Sequence, residues 1–180
     1  MRVGSKRFLI EVTENAFAYI VVMAMFAYGA GKIVQFNGAA DTDLRVSEMT
    51  GMQLMWAFYG YSKSFALTLG VIEILGGILM IFRRTRLIGC FFVLTILTNI
   101  IIQDIVFSVN IGALRAAVLY SVLISCILFI RRIQVIGAFK LLLSPNQLNV
   151  NRKQNVIIVI LSVLLFMILR IAEYYITIKL

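Results

Sequence analysis

A few polar and charged side chains stand inside long apolar runs, and their types define the chemistry this chain can offer. Glu73 lies ten residues from Arg83, or ~15 Å at 1.5 Å per residue, near the middle of an apolar helix-length segment. Ionisable groups at such depth are costly and normally face a protein interior or a cavity. Two readings of Glu73 fit: a protonated or hydrogen-bonded carboxyl that locks helix packing, or a proton relay or ligand contact. Asn99 and Gln103 fall one turn apart on one helical face, where each can donate and accept hydrogen bonds. They fit interhelical hydrogen bonding, or satisfaction of Glu73, or a grip on a polar ligand group. Lys32 closes the first apolar segment beside Tyr28 and Gln35. It is either a lysine that snorkels to the interface or a cation that faces an outer cavity together with Lys63, Arg115 and Asp104.

Other pairs read as structural. Asp104 lies ~27 Å along its helix from Arg86, and Arg115 ~24 Å along the next from Arg131, so an Asp104–Arg115 ion pair across a short turn is geometrically easy. Glu11 and Glu14 sit near the basic N-terminal cluster and are expected to pair with nearby cations or lie among headgroups. Arg170 and Glu173, three apart, can pair along one helix. Trp56, Tyr59 and Tyr61 suit an interfacial anchor or an aromatic ligand wall. The chain has no histidine, which removes imidazole-based metal, haem and triad chemistry. Cys90 and Cys126 have no CxxC partner and read as small hydrophobes. No catalytic or metal signature emerges, and the reading leans away from an enzyme.

The elements that hold these groups follow from composition. Of 180 residues, 62% are hydrophobic and 14% charged, with a mean hydropathy of +0.99. Soluble domains hold roughly 45–50% apolar and 25% charged residues, so the expected class is an all-α polytopic transmembrane helix bundle. Five spans are expected at about 8–34, 61–82, 87–107, 111–130 and 156–178, within a single membrane domain over 1–180. Gly38-Ala39-Ala40 offers a signal-cleavage sequence, but the preceding apolar stretch is too long and ends in Lys32 and Gln35, so the first segment reads as a retained helix. The single proline, Pro145, lies in a polar stretch and leaves the helices uninterrupted. Arg2, Lys6 and Arg7, then Arg83, Arg84 and Arg86, then Arg131, Arg132, Lys140, Arg152 and Lys153 fall on one side of an alternating five-span path. Together these clusters hold eleven of the 17 basic residues, so the net charge of +9 is a topology signal rather than a nucleic-acid footprint. They place the N-terminus in the cytoplasm and the C-terminus outside. Met49 to Tyr61 is expected to form a short helix on the outer surface, and residues 133–153 a cytoplasmic interfacial stretch.

The runs Trp56-Ala-Phe-Tyr-Gly-Tyr-Ser62, Gly70-Val-Ile-Glu73-Ile-Leu-Gly76-Gly77 and Phe82-Arg-Arg-Thr-Arg86 resemble those of DoxX-like membrane proteins. So do Tyr28-Gly29-x-x-Lys32 with Gln35-Phe36, and Asn99 in the third span. The resemblance covers about residues 20–130, and its motifs are short. It implies a four-helix core, here with a fifth C-terminal helix added, in a bacterial cytoplasmic membrane. It highlights Tyr28, Lys32, Glu73 and Asn99. Relatives of that kind include a membrane subunit of a thiosulfate:quinone oxidoreductase and chaperone-like proteins that assist membrane receptors. The leading expectation is a non-catalytic subunit or assembly partner in a membrane complex, with a membrane-protein partner or a second copy as associate. The alternative is a quinone- or lipid-binding redox-complex subunit that uses Glu73, Asn99 and Gln103. A small-solute transporter ranks third, because five helices without a repeat lack transporter symmetry. A cavity around Glu73 and Asn99 would favour the functional readings; a closed polar network would favour the structural one.

Overall fold

Long apolar stretches free of proline make helices wherever a charged turn or capping residue does not stop them. The computed structural model describes residues 5–144 and 151–179, and its regular structure is all helical, with no strand among the described residues. Arg2 and Pro145 lie outside them. Seven α-helices follow in order: α1 Ser5–Gly31, α2 Gly51–Tyr61, α3 Lys63–Ile81, α4 Arg86–Val106, α5 Ile111–Ile130, α6 Arg132–Leu143 and α7 Arg152–Lys179. Five of them, α1, α3, α4, α5 and α7, are long and apolar enough to cross a membrane, at the positions expected from the sequence. The short helix expected before the second span is α2, and α6 begins the stretch expected at 133–153.

The chain divides into two units, residues 1–138 and 139–180, where the sequence suggests one domain over 1–180. In the first unit α1, α3, α4 and α5 form a closed ring of neighbours: α1 packs on α3 and α5, and α4 packs on α3 and α5. The core is drawn from these four helices and includes Val21, Met25, Met80, Val93, Leu97, Ile124 and Ile127. In the second unit α7 is apolar apart from its first turn and the Arg170–Glu173 pair, and none of its spanning segment is buried. Arg170 donates to Glu173 along it, as their spacing suggests.

Close backbone approach sets the α1–α3 crossing. A Cβ on Gly29 would stand 2.6 Å from the Gly70 carbonyl oxygen, and one on Gly70 2.5 Å from that of Gly29. Neither backbone can yield, so only glycine permits the contact. Gly77 continues this face, where a Cβ would meet the Met25 Cβ at 3.3 Å. Glu73 therefore points from the face of α3 that presses on α1, as the Gly70–Glu73–Gly77 spacing implies.

Candidate functional site

Polar groups gather at both ends of the four-helix ring. At the arginine-rich end, Glu14 of α1 is buried between two guanidinium groups. Arg86 Nη1 and Arg131 Nε each donate to Glu14 Oε1 at 2.8 Å. Arg86 is fully buried and is the largest such side chain. Its Nη1 also donates to Asn15 Oδ1 at 2.8 Å, its Nε to the Met80 carbonyl at 3.1 Å and its Nη2 to the Ile81 carbonyl at 3.3 Å. Those carbonyls end α3 and have no partner within the helix; Arg86 supplies one, and Thr85 Oγ1 does the same for Leu79 at 2.8 Å. Nearer the edge, Arg83 Nη2 donates to Glu11 Oε2 at 3.2 Å, and Arg7 stands 3.6 Å from Glu11. Glu11 and Glu14 thus pair with basic residues, as expected. The cluster leaves none of its side-chain polar atoms buried without a partner.

The opposite end holds a cavity of about 760 Å³ between α1, α3, α4 and α5, roofed by α2. Tyr28, Lys32, Glu73, Asn99, Gln103 and Asp104 all line it, so these six candidate residues meet in one place, whereas Arg115 and Lys63 do not line it. Lys32 Nζ lies 3.4 Å from Glu73 Oε1 and donates to Gln35 Oε1 at 3.0 Å. It also sits 5.5 Å from the centre of the Phe36 ring. The ion pair thus spans α1 and α3 one turn beyond the Gly29–Gly70 contact. Lys32 is not a snorkelling lysine: its side chain is 13% exposed and turned inward.

Asn99 and Gln103 do not reach Glu73. Gln103 Nε2 donates to Asn99 Oδ1 at 2.6 Å, and its Oε1 accepts from the Tyr59 hydroxyl at 2.9 Å. This chain of bonds ties α4 to the roof helix. Asp104 is buried and lines the cavity together with Lys32. It forms no ion pair with Arg115 among the described residues, so the expected outer clasp is not what the structure builds. The reason is angular. Ala113 and Ala117 of α5 face the cavity, and Arg115, midway between them, points roughly 200° away at 100° per residue and is exposed. Lys63 is likewise exposed and does not line the cavity.

The roof explains the aromatic run. Met52, Met55, Trp56 and Tyr59 of α2 face the cavity. Phe36 stacks on Tyr59 at 5.1 Å, Tyr59 on Phe65 at 5.9 Å, and Phe36 meets Trp56 edge-on at 5.5 Å. Trp56 and Tyr59 are therefore wall residues, the second of their two expected roles; Tyr61 is exposed. Two glycines seat this roof. Gly51 rests on the Phe107 backbone, and a Cβ on Gly60 would stand 2.7 Å from the Phe36 carbonyl oxygen. A Thr50–Gln53 capping box starts α2, and Ser62 both ends it and caps α3. Apolar walls come from Leu69 and Ile72 of α3 and Ile96 and Ile100 of α4.

Three buried polar atoms have no hydrogen-bond partner among the described residues: Trp56 Nε1, Glu73 Oε2 and Asp104 Oδ2. All three residues line this cavity. Such groups normally find partners, and each left unmatched costs about 1–3 kcal/mol. No group of three or more acidic or cysteine side chains is arranged to hold a metal ion among the described residues.

A protein of Bacillus subtilis (strain 168) with the name "Uncharacterized protein YwoB" is 28% identical over 126 residues, which span 69% of this chain and 80% of that relative. No protein-family model matches the chain, and no solved structure matches it.

Proposed function

We propose that this chain binds an amphipathic small molecule, of lipid or quinone type, in the cavity beneath α2, and serves as a non-catalytic binding subunit of a bacterial cytoplasmic membrane. The basic clusters support an orientation with the N-terminus in the cytoplasm, so the cavity occupies the outer half of the bundle. The observation that carries the reading is the cavity itself. About 760 Å³ is the size of a small-molecule site, and it pairs apolar and aromatic walls with a few converging polar groups. A network that merely fixed the bundle would close on itself, as the Glu14–Arg86–Arg131 cluster does at the other end. The motifs that resemble DoxX-like proteins support the same place, since Tyr28, Lys32, Glu73 and Asn99 all line it. A membrane-protein partner would act on the held molecule; this chain's part is to select and present it.

Native mass spectrometry of the protein released from its membrane tests the reading. A small-molecule adduct is expected at one per chain. Ala113→Phe, which fills the α5 wall of the cavity without touching the ion pair, is expected to abolish it. No adduct, or an adduct that Ala113→Phe retains, would overturn the assignment.

A further inference from the structure

The two polar clusters have opposite charge arithmetic. At the arginine-rich end one carboxylate, Glu14, is shared by two guanidinium groups. In the cavity one ammonium, Lys32, shares the lining with two carboxyl groups, Glu73 at 3.4 Å and Asp104. Glu73 is 4% exposed and Asp104 8%, and each keeps one oxygen buried with no protein donor. Lys32 Nζ contacts Glu73 Oε1 and Gln35, and among the described residues no hydrogen bond or ion pair joins it to Asp104. The cavity lining therefore holds two carboxyl groups beside one ammonium, and two buried carboxyl oxygens but only one buried donor, Trp56 Nε1, lack a protein partner.

We infer that the molecule held in this cavity carries a protonated amine on an apolar body, with Glu73 and Asp104 as its counter-ions and the Phe36–Tyr59–Phe65 stack as the surface against its apolar part. The inference rests on the binding reading above and narrows it. A quinone offers only carbonyl acceptors, which suit Trp56 Nε1 and Lys32 but leave both carboxylate oxygens without a donor. A fatty carboxylate adds a third acid beside two. An ammonium group supplies three donors and a positive charge, and aromatic rings nearby favour a cation further. Charge-assisted hydrogen bonds of this kind are about twice as strong as neutral ones.

The chain's single tryptophan, Trp56, lies in the cavity wall and reports on it directly. In nanodiscs of phosphatidylglycerol, which carries no ammonium, dodecylammonium is expected to shift Trp56 emission saturably. Dodecanol, of the same chain length, is expected to bind at least about tenfold more weakly. Asp104→Asn and Glu73→Gln should each weaken dodecylammonium by at least about tenfold and leave dodecanol unchanged. Ala113→Phe should abolish both responses. The same Asp104-dependent shift in phosphatidylethanolamine nanodiscs without added amine would identify a lipid headgroup as the source of the ammonium. If dodecanol and dodecylammonium bind alike and neither carboxylate variant separates them, the amine assignment is wrong while the cavity remains a binding site. If neither compound moves Trp56 in any nanodisc, the binding reading fails as well.

Discussion

The two ends of the four-helix ring solve the same problem, charge inside an apolar protein, in opposite ways. At the arginine-rich end Glu14, Arg86, Arg131 and Asn15 close on one another and on the last carbonyls of α3. No side-chain polar atom of that cluster is left buried without a partner. At the other end Lys32, Glu73 and Asp104 stand beside a cavity, and two carboxylate oxygens and an indole N–H lack protein partners. Burying charge is tolerable only with full pairing and hydrogen bonding. The closed cluster meets that demand from within the chain and so serves the fold. The open one does not, and in the reading proposed above a bound molecule completes it.

The contrast is broken most directly at Glu14. Glu14→Gln removes the anion between two guanidinium groups, one of them wholly buried, and is expected to cost about 3–5 kcal/mol, read as a large drop in thermal midpoint in detergent. A midpoint close to wild type would mean that the closed cluster is not what holds the bundle. Next in size is Gly60→Val. Its side chain would press on the Phe36 carbonyl and on Ala39, costing about 1–3 kcal/mol and lifting the roof. A red shift of Trp56 emission should accompany that loss, whereas an unchanged spectrum would show that the roof does not depend on this contact. Smallest is Arg115→Ala. With Arg115 exposed and unpaired to Asp104, stability should stay within about 0.5 kcal/mol of wild type. A larger loss would restore the outer clasp that its position along α5 suggests.

The sequence carried the fold well because hydropathy and charged turns mark spans directly. Arg83 to Arg86 between α3 and α4, and Asn110 before α5, punctuate the chain where the helices end. It also marked the cavity's polar residues, because Glu73, Asn99 and Gln103 are conspicuous in apolar runs. What it could not supply was partnership. The Lys32–Glu73 pair joins residues far apart in sequence through the Gly29–Gly70 crossing, and no local spacing encodes that meeting. The closed cluster was hidden in the same way. Arg86 reads as one of several topology-setting arginines, yet it turns inward to Glu14 on α1 and to the end of α3. The Asp104–Arg115 expectation matched height along the helices but neglected rotation, and rotation decided it. The phase of Ala113 and Ala117 relative to Arg115 is the one local signal that would have corrected it.

The division between a closed cluster for stability and an open one for binding is tested most directly by the thermal midpoint of Asp104→Asn, measured beside Glu14→Gln in the same detergent without added ligand. Because Asp104 forms no ion pair among the described residues and keeps one carboxyl oxygen buried without a donor, Asp104→Asn should stay at or above the wild-type midpoint, while Glu14→Gln falls well below it. An Asp104→Asn midpoint that falls as far as that of Glu14→Gln would make both clusters structural and contradict the account.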